Sequence, residues 1–172
     1  MKKVIFLLLV VLIIPLITSC DKDKTIPKPE DGDFEFWITD DVTDYDWTGH
    51  DSIDGWFGAS EYLDKRYNSI RDEESNMNLK PEFYVSYVIT SYPDYASTTK
   101  AVTSIDITDP SITIYGLNVN SSKEEINKKM NELGLKQLEE TFRYQKGNII
   151  ISFLVGRILI RAEVTNEKGI VF

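Results

Sequence analysis

Six aspartates fall within the segment DDVTDYDWTGHDSID, at Asp40, Asp41, Asp44, Asp46, Asp51 and Asp54, and the chain's only histidine, His50, lies among them. Carboxylates at this density are the groups that hold Ca²⁺ or, paired across a cleft, cleave glycosidic bonds. Asp44, Asp46, Thr48 and Gly49 match the first half of an EF-hand loop, but Gly55 stands at the twelfth position, where a bidentate glutamate is needed. A solvated acidic loop is the plainer alternative. A single histidine excludes metal sites built on two imidazoles. No serine sits in a nucleophile elbow, and no glycine loop has the form that cradles phosphate. Neither enzymatic activity nor a cofactor or bound metal is expected.

Aromatic rings are interleaved with these acids: Phe34, Phe36, Trp37, Tyr45, Trp47, Trp56, Phe57 and Tyr62, with all three tryptophans of the chain among them. Gly55 and Gly58 bracket Trp56 and Phe57, so two large rings ride on a backbone free to turn tightly. One reading makes Trp47, Trp56 and Phe57, beside Asp44, Asp46 and Asp54, a rim of anchors for a cationic peptide, a protein or a cell-wall ligand. The other has the rings closing a core.

The chain's one cysteine, Cys20, stands where an apolar run ends. Lys2 and Lys3 precede about 14 apolar residues from Val4 to Ile17, too short to span a bilayer but suited to the h-region of an export signal. Leu16-Ile17-Thr18-Ser19-Cys20 resembles the lipobox of bacterial lipoproteins. That resemblance implies cleavage before Cys20, with residues 1–19 as signal peptide, and alkylation of the Cys20 thiol by a diacylglycerol. Two acyl chains anchor firmly where one binds only marginally. The expected location is the cell membrane, lipid-anchored on its extracytoplasmic side. With no second cysteine, the exported fold must be held without a disulfide.

Formal net charge is −9 for the whole chain and, without Lys2 and Lys3, −11 for the part after the signal. Such a balance argues against nucleic acid and against a domain lying flat on anionic headgroups. Residues 20–33, carrying the lipidated cysteine and DKDKTIPKPEDGD, read as a flexible tether. Residues 34–172 then read as a single domain.

Within that domain, alternation in EFYVSYVIT places Phe83, Val85, Tyr87 and Ile89 on one strand face, and KAVTSIDIT does the same for Ala101, Thr103, Ile105 and Ile107. Ser111–Tyr115 reads as a further short strand. In NSSKEEINKKMNELG a capping box is available from Ser121 with Glu124 or from Ser122 with Glu125. Ile126, Met130 and Leu133 line one helical face, and Gly134 supplies a C-terminal stop. Three strands follow, in QLEETFRYQ, NIIISFLV and RILIRAEVT, with gaps short enough for an antiparallel meander. The fold class is α+β: an antiparallel β-sheet with one or two helices packed on one face.

ILIRAEVT echoes AVTSIDIT at an offset of 57 residues, between Thr108 and Thr165. One reading is a tandem α-β repeat with halves 34–110 and 111–168, placing a second helix near Lys65–Asn76; the other is convergence of two ordinary strands. YGLNVNSSKEEINKKMNELGLK followed by three strands resembles the repeat of the β-lactamase inhibitory protein-like fold, which implies a helix before a curved antiparallel sheet and carries over no functional residue. The expected function is a membrane-anchored, extracytoplasmic binding or interaction module. The alternatives are an inhibitor or immunity-type protein acting on a secreted enzyme, and a hydrolase using residues 40–54.

Overall fold

Apolar alternation in the middle and at the end of the chain builds one large sheet. A computed structural model describes residues 26–56, 58–93, 98–139 and 141–162. Cys20, Phe57 and residues 1–19, expected to be a signal peptide, lie outside these residues. Among the described residues the strands are β1 (Ser52–Trp56), β2 (Ala59–Leu63), β3 (Ile70–Asp72), β4 (Met77–Leu79), β5 (Val85–Pro93), β6 (Thr98–Ile107), β7 (Lys136–Gln137), β8 (Arg143–Lys146), β9 (Ile149–Leu154) and β10 (Arg157–Ala162), with one helix, α1 (Lys123–Glu132). Eight of the strands form a sheet in the order β1-β2-β5-β6-β10-β9-β8-β7, and β3 and β4 pair as a separate hairpin. The main sheet is thus two four-stranded halves joined where β6 meets β10.

Residues opposite one another on antiparallel strands share a face. Tyr62, Tyr87, Ile105, Ile160, Ile151 and Tyr144 therefore form one transverse row across six strands, with Val85, Ile107, Ile158 and Phe153 in the next. Apart from the half-buried Tyr62, these residues are buried in the core. Their side of the sheet is covered by α1 over one half and by irregular chain over the other.

The helix forms for the local reasons anticipated. Ser122 is the N-cap, its Oγ accepting from Glu125 N while Ser122 N donates to the Glu125 carboxylate at 2.8 Å. Ile126 and Met130 are buried, Leu133 packs partly buried on the core, and Gly134 follows at φ 74°. The meander β8-β9-β10 is also as expected.

Elsewhere the local pattern gives way. Ser111–Tyr115 is not a strand: Ile114 and Leu117 form an isolated bridge around Tyr115 and Gly116, both left-handed, at φ 55° and 78°. No helix occupies 65–76. The Asp72 carboxylate accepts from Glu74 N and Ser75 Oγ, Asn76 is left-handed, and the segment turns into the β3-β4 hairpin. The second helix of a repeat is therefore missing, although both halves keep four strands. The strand expected through 137–145 breaks into β7 and β8, with Glu139 at φ 53° between them. Phe83 precedes β5 and is exposed.

In β6 the alternation slips. Val88 faces Ser104 but Ile89 faces Val102, leaving Thr103 as the extra residue of a bulge, so Val102 joins the core in place of Ala101 and Thr103. Before the bulge β6 bonds to residues 39–42, through Thr39 N to Val102 O and Val42 N to Lys100 O, both 2.9 Å. After the bulge it bonds to β10.

Residues 26–33, expected to be tether, are docked. Ile26 is buried and its carbonyl accepts from the Trp37 indole at 3.2 Å, so the chain has joined the domain before Phe34.

Met130 is fully buried beneath the sheet side of α1, whereas Lys128 is exposed. Met130→Ala is expected to cost about 2–5 kcal/mol in urea unfolding, and Lys128→Ala less than about 0.5 kcal/mol. Comparable losses would mean that the helix does not pack in this phase.

Candidate functional site

The acidic, aromatic segment lies over the half of the sheet that α1 does not reach. Its carboxylates are mostly turned onto its own backbone. Asp40 accepts from Trp37 N at 2.7 Å, Asp41 from Thr43 N and Oγ1, Asp46 from Thr48 N and Oγ1, and Asp51 from Ser69 N at 2.7 Å. The Asp41 and Asp46 bonds are Asx turns, Asp40 reaches back three residues and Asp51 reaches across to residue 69; together they satisfy N–H groups that no helix or ladder satisfies. Among the described residues no group of three or more His, Cys, Asp or Glu side chains is arranged to hold a metal ion.

The rings are assembled in the same way. Trp47 stacks on Tyr62 with centroids 4.5 Å apart and planes 20° apart, and also meets Phe36, Tyr45 and His50. Glu35 ties this cluster together. One carboxylate oxygen faces His50 Nε2 at 2.8 Å; the other takes the Tyr45 hydroxyl and lies 3.1 Å from Lys65 Nζ. Burial alone would raise the Glu35 pKa, but the bonds from Tyr45, His50 and Lys65 outweigh it and hold the carboxylate below its usual range. An ionised carboxylate can only accept, so His50 Nε2 bears the proton here. His50 Nδ1 and Trp47 Nε1 are buried without a hydrogen-bond partner.

A second carboxylate, Asp64, is buried and fixes the segment to the sheet. Tyr87, in the middle of β5, donates its hydroxyl to Asp64 at 2.7 Å and accepts from Glu35 N at 3.2 Å. Asp64 is also gripped by Arg66 through two bonds, at 2.9 and 3.0 Å. Burial raises the Asp64 pKa, and the bonds from Arg66 and Tyr87 more than reverse the effect.

Of the proposed rim, the structure therefore brings together less than expected. Trp47 is half-buried in the ring cluster instead of standing free, because the sheet beneath needs cover. Asp44 and Asp46 are exposed. Asp54 and Trp56 are placed by their backbones in β1, opposite Glu61 and Ala59. Phe57 and Cys20 lie outside the described residues.

The opposite face of the sheet was not singled out by sequence. Register puts Arg161, Ile150, Gln145 and Lys136 in one row there, and Leu159, Ser152 and Arg143 in the next. Arg157 and Leu154 follow. Arg143, Arg161 and Lys136 are exposed, and their side chains make no hydrogen bond or ion pair among the described residues. Arg157 instead holds the buried Asp106 at 2.6 and 2.7 Å, and Tyr84 adds a bond to the same carboxylate at 2.9 Å. That pair keeps the Arg157 pKa above its ordinary value, with the Asp106 hydrogen bond as the main cause. Strands lie about 4.8 Å apart and residues along a strand about 3.4 Å, so Arg143 on β8 and Arg161 on β10, two strands and two residues apart, are roughly 12 Å from each other, with the buried Ile150 and Leu159 between them. Strand alternation in RILIRAEVT and TFRYQ carried this arrangement, but the face becomes visible only once β8, β9 and β10 are paired.

No family model matches the chain, and no curated protein or solved structure is significantly similar to it. Among the described residues no helix is long and apolar enough to cross a membrane.

Glu35 and Asp64 both have folded-state pKa values below their unfolded ones. The stability they contribute is present above about pH 4 and is lost as pH falls through the depressed folded values. Urea unfolding should therefore show a marked loss between pH 6 and pH 3. Asp64→Asn, which leaves Arg66 and the Tyr87 hydroxyl without their carboxylate, should cost about 3 kcal/mol at pH 7 and flatten part of that acid dependence. An unchanged pH profile in the variant would remove Asp64 from this role.

Proposed function

We propose that this protein is a bacterial lipoprotein, anchored through Cys20 on the extracytoplasmic side of the membrane, that binds an acidic protein partner on the arginine-bearing face of its sheet. The observation that carries the binding reading is a contrast of charge. A chain with net charge −9 places Arg143, Arg161 and Lys136 unpaired on one side of three strands, where no acid among the described residues neutralises them. Guanidinium groups recognise carboxylates bidentately, and exposed apolar residues beside them favour a protein surface over a simple polyanion. Leu154, exposed and opposite Arg157 on this face, supplies that apolar component, whereas Ile150 and Leu159 are buried.

This placement moves the proposed contact away from the aromatic rim and reverses the expected charge of the partner. The hydrolase alternative loses support because Asp41, Asp46 and Asp51 are each committed to turn N–H groups. An inhibitor of a secreted enzyme would use the same sheet face and differs only in the partner being an enzyme. The export segment and lipobox support the anchor, and the lone cysteine has no competing role as a disulfide.

Two measurements test the reading. Cys20→Ala should abolish labelling by radioactive fatty acid and leave the precursor unprocessed; acylation in that variant would sink the anchor. Arg143→Glu with Arg161→Glu should weaken cross-linked capture of the envelope partner by at least about 30-fold, the equivalent of losing a hot spot of about 2 kcal/mol. Added salt should weaken wild-type capture in the same direction, and the melting temperature should stay unchanged. Capture insensitive to both reversal and salt would exclude this face.

A further inference from the structure

Residues 26–33 make more contacts than a spacer requires. Ile26 is sunk into the core beside Trp37, and the Tyr115 hydroxyl donates to Pro27 O. Lys28 Nζ donates to Phe34 O at 2.6 Å. Asp31 then reaches the turn that precedes α1. Its carboxylate accepts from both Tyr115 N and Gly116 N, the first at 2.8 Å, and Thr113 Oγ1 donates to the Asp31 carbonyl. Two successive left-handed residues aim two N–H groups at one carboxylate, a small anion-binding nest filled by the chain's own arm. Gly32 runs flush against this surface: a Cβ there would lie 2.0 Å from the Phe34 ring and 3.0 Å from Thr113 O.

We infer that this arm is a latch that holds the Tyr115–Gly116 end of the domain, with the adjoining side of α1, against the membrane. The inference rests on the lipid anchor at Cys20 proposed above. Only residues 21–25 separate that anchor from the buried Ile26. At about 3.5 Å per residue, Ile26 lies no more than about 21 Å from Cys20, whereas an undocked arm would place Phe34 up to about 49 Å away. The latch therefore converts a long tether into a short one and chooses which end of the domain faces the bilayer.

Charge on that end is compatible with lipid headgroups. Tyr115, Gly116 and Leu117 border a shallow cavity with Glu125, Lys128, Lys129 and Glu132, two acids against two bases. Elsewhere the excess of acid would be repelled by anionic lipid.

The test uses full-length, lipidated protein in membranes. With Cys20 acylated, Lys128→Cys introduces the only reactive thiol, which can carry a fluorescent donor for energy transfer to a dye at the bilayer surface. Strong transfer is expected with the latch closed. Gly32→Val should pry the arm loose and lower transfer by at least about twofold, since the reach of the tether more than doubles. Inserting about ten Gly/Ser residues between Thr25 and Ile26 should lower it similarly while leaving the melting temperature unchanged, because the arm stays docked and only the flexible length grows. The insertion decides the matter if Gly32→Val does not fold. Membrane-bound protein whose transfer is weak from the start, or unaffected by the insertion, overturns the latch. Protein that fails to partition into membranes overturns the anchor itself.

Discussion

An eight-stranded sheet must bury one face, and α1, the one helix among the described residues, is too short to do it. Ten residues of α1 span about 15 Å, while eight strands extend over roughly 35 Å. Everything on the first half of the molecule follows from that shortfall. Chain from Ile26 to His50 has to cover the remaining strands without regular structure of its own, so it needs bulky side chains to fill the space and polar side chains to satisfy its backbone. Phe34, Phe36, Trp37, Ile38 and Val42 do the first; Asp31, Asp40, Asp41 and Asp46 do the second. The density of acids and rings that suggests a ligand site in the sequence is, in the folded protein, largely the fittings of a helix-free cover.

The cover is fastened at few points, and those points are charged. Glu35 collects His50, Tyr45 and Lys65 on one side, and Tyr87 links Glu35 N to Asp64 and Arg66 on the other. A buried carboxylate such as Asp64 is tolerable only where its bonds repay desolvation, and both it and the partly buried Glu35 are bonded on each oxygen. The β6 bulge belongs to the same solution. By shifting the register at Thr103, it brings Val102 into the core and leaves the start of β6 free to bond residues 39–42.

Satisfying the covered face concentrates acids over it and leaves the other face to different chemistry. Asp106 is the exception that proves costly enough to need Arg157, Tyr84 and Lys80 nearby. Beyond it, the strands of the second half carry exposed basic side chains that are unpaired among the described residues, with buried aliphatic residues between them. The separation of charge between faces gives an acidic chain one basic surface, while the docked arm joins residues 26–33 to the Tyr115–Gly116 end of the domain.

What the sequence determined by itself was local. Ser122, Glu125, Ile126, Met130 and Gly134 specify α1 through contacts three or four residues apart, and short gaps with period-two alternation specify the meander β8-β9-β10, so both were legible without tertiary information. The lipobox resemblance is equally a matter of adjacent residues. Tertiary structure alone decided the meeting of β6 with β10, the bulge at Thr103, the docking of residues 26–33 and the packing of the half-buried Trp47. Each depends on groups far apart in sequence, as when Asp31 meets Gly116 or Glu35 meets Lys65. Residues 65–76 show the competition directly: they contain helix formers, but Asp72 and Asn76 stabilise a turn and the segment becomes a hairpin. The basic face was hidden for the same reason, since Arg143 and Arg161 are eighteen positions apart and become neighbours only when antiparallel pairing places their strands on either side of β9.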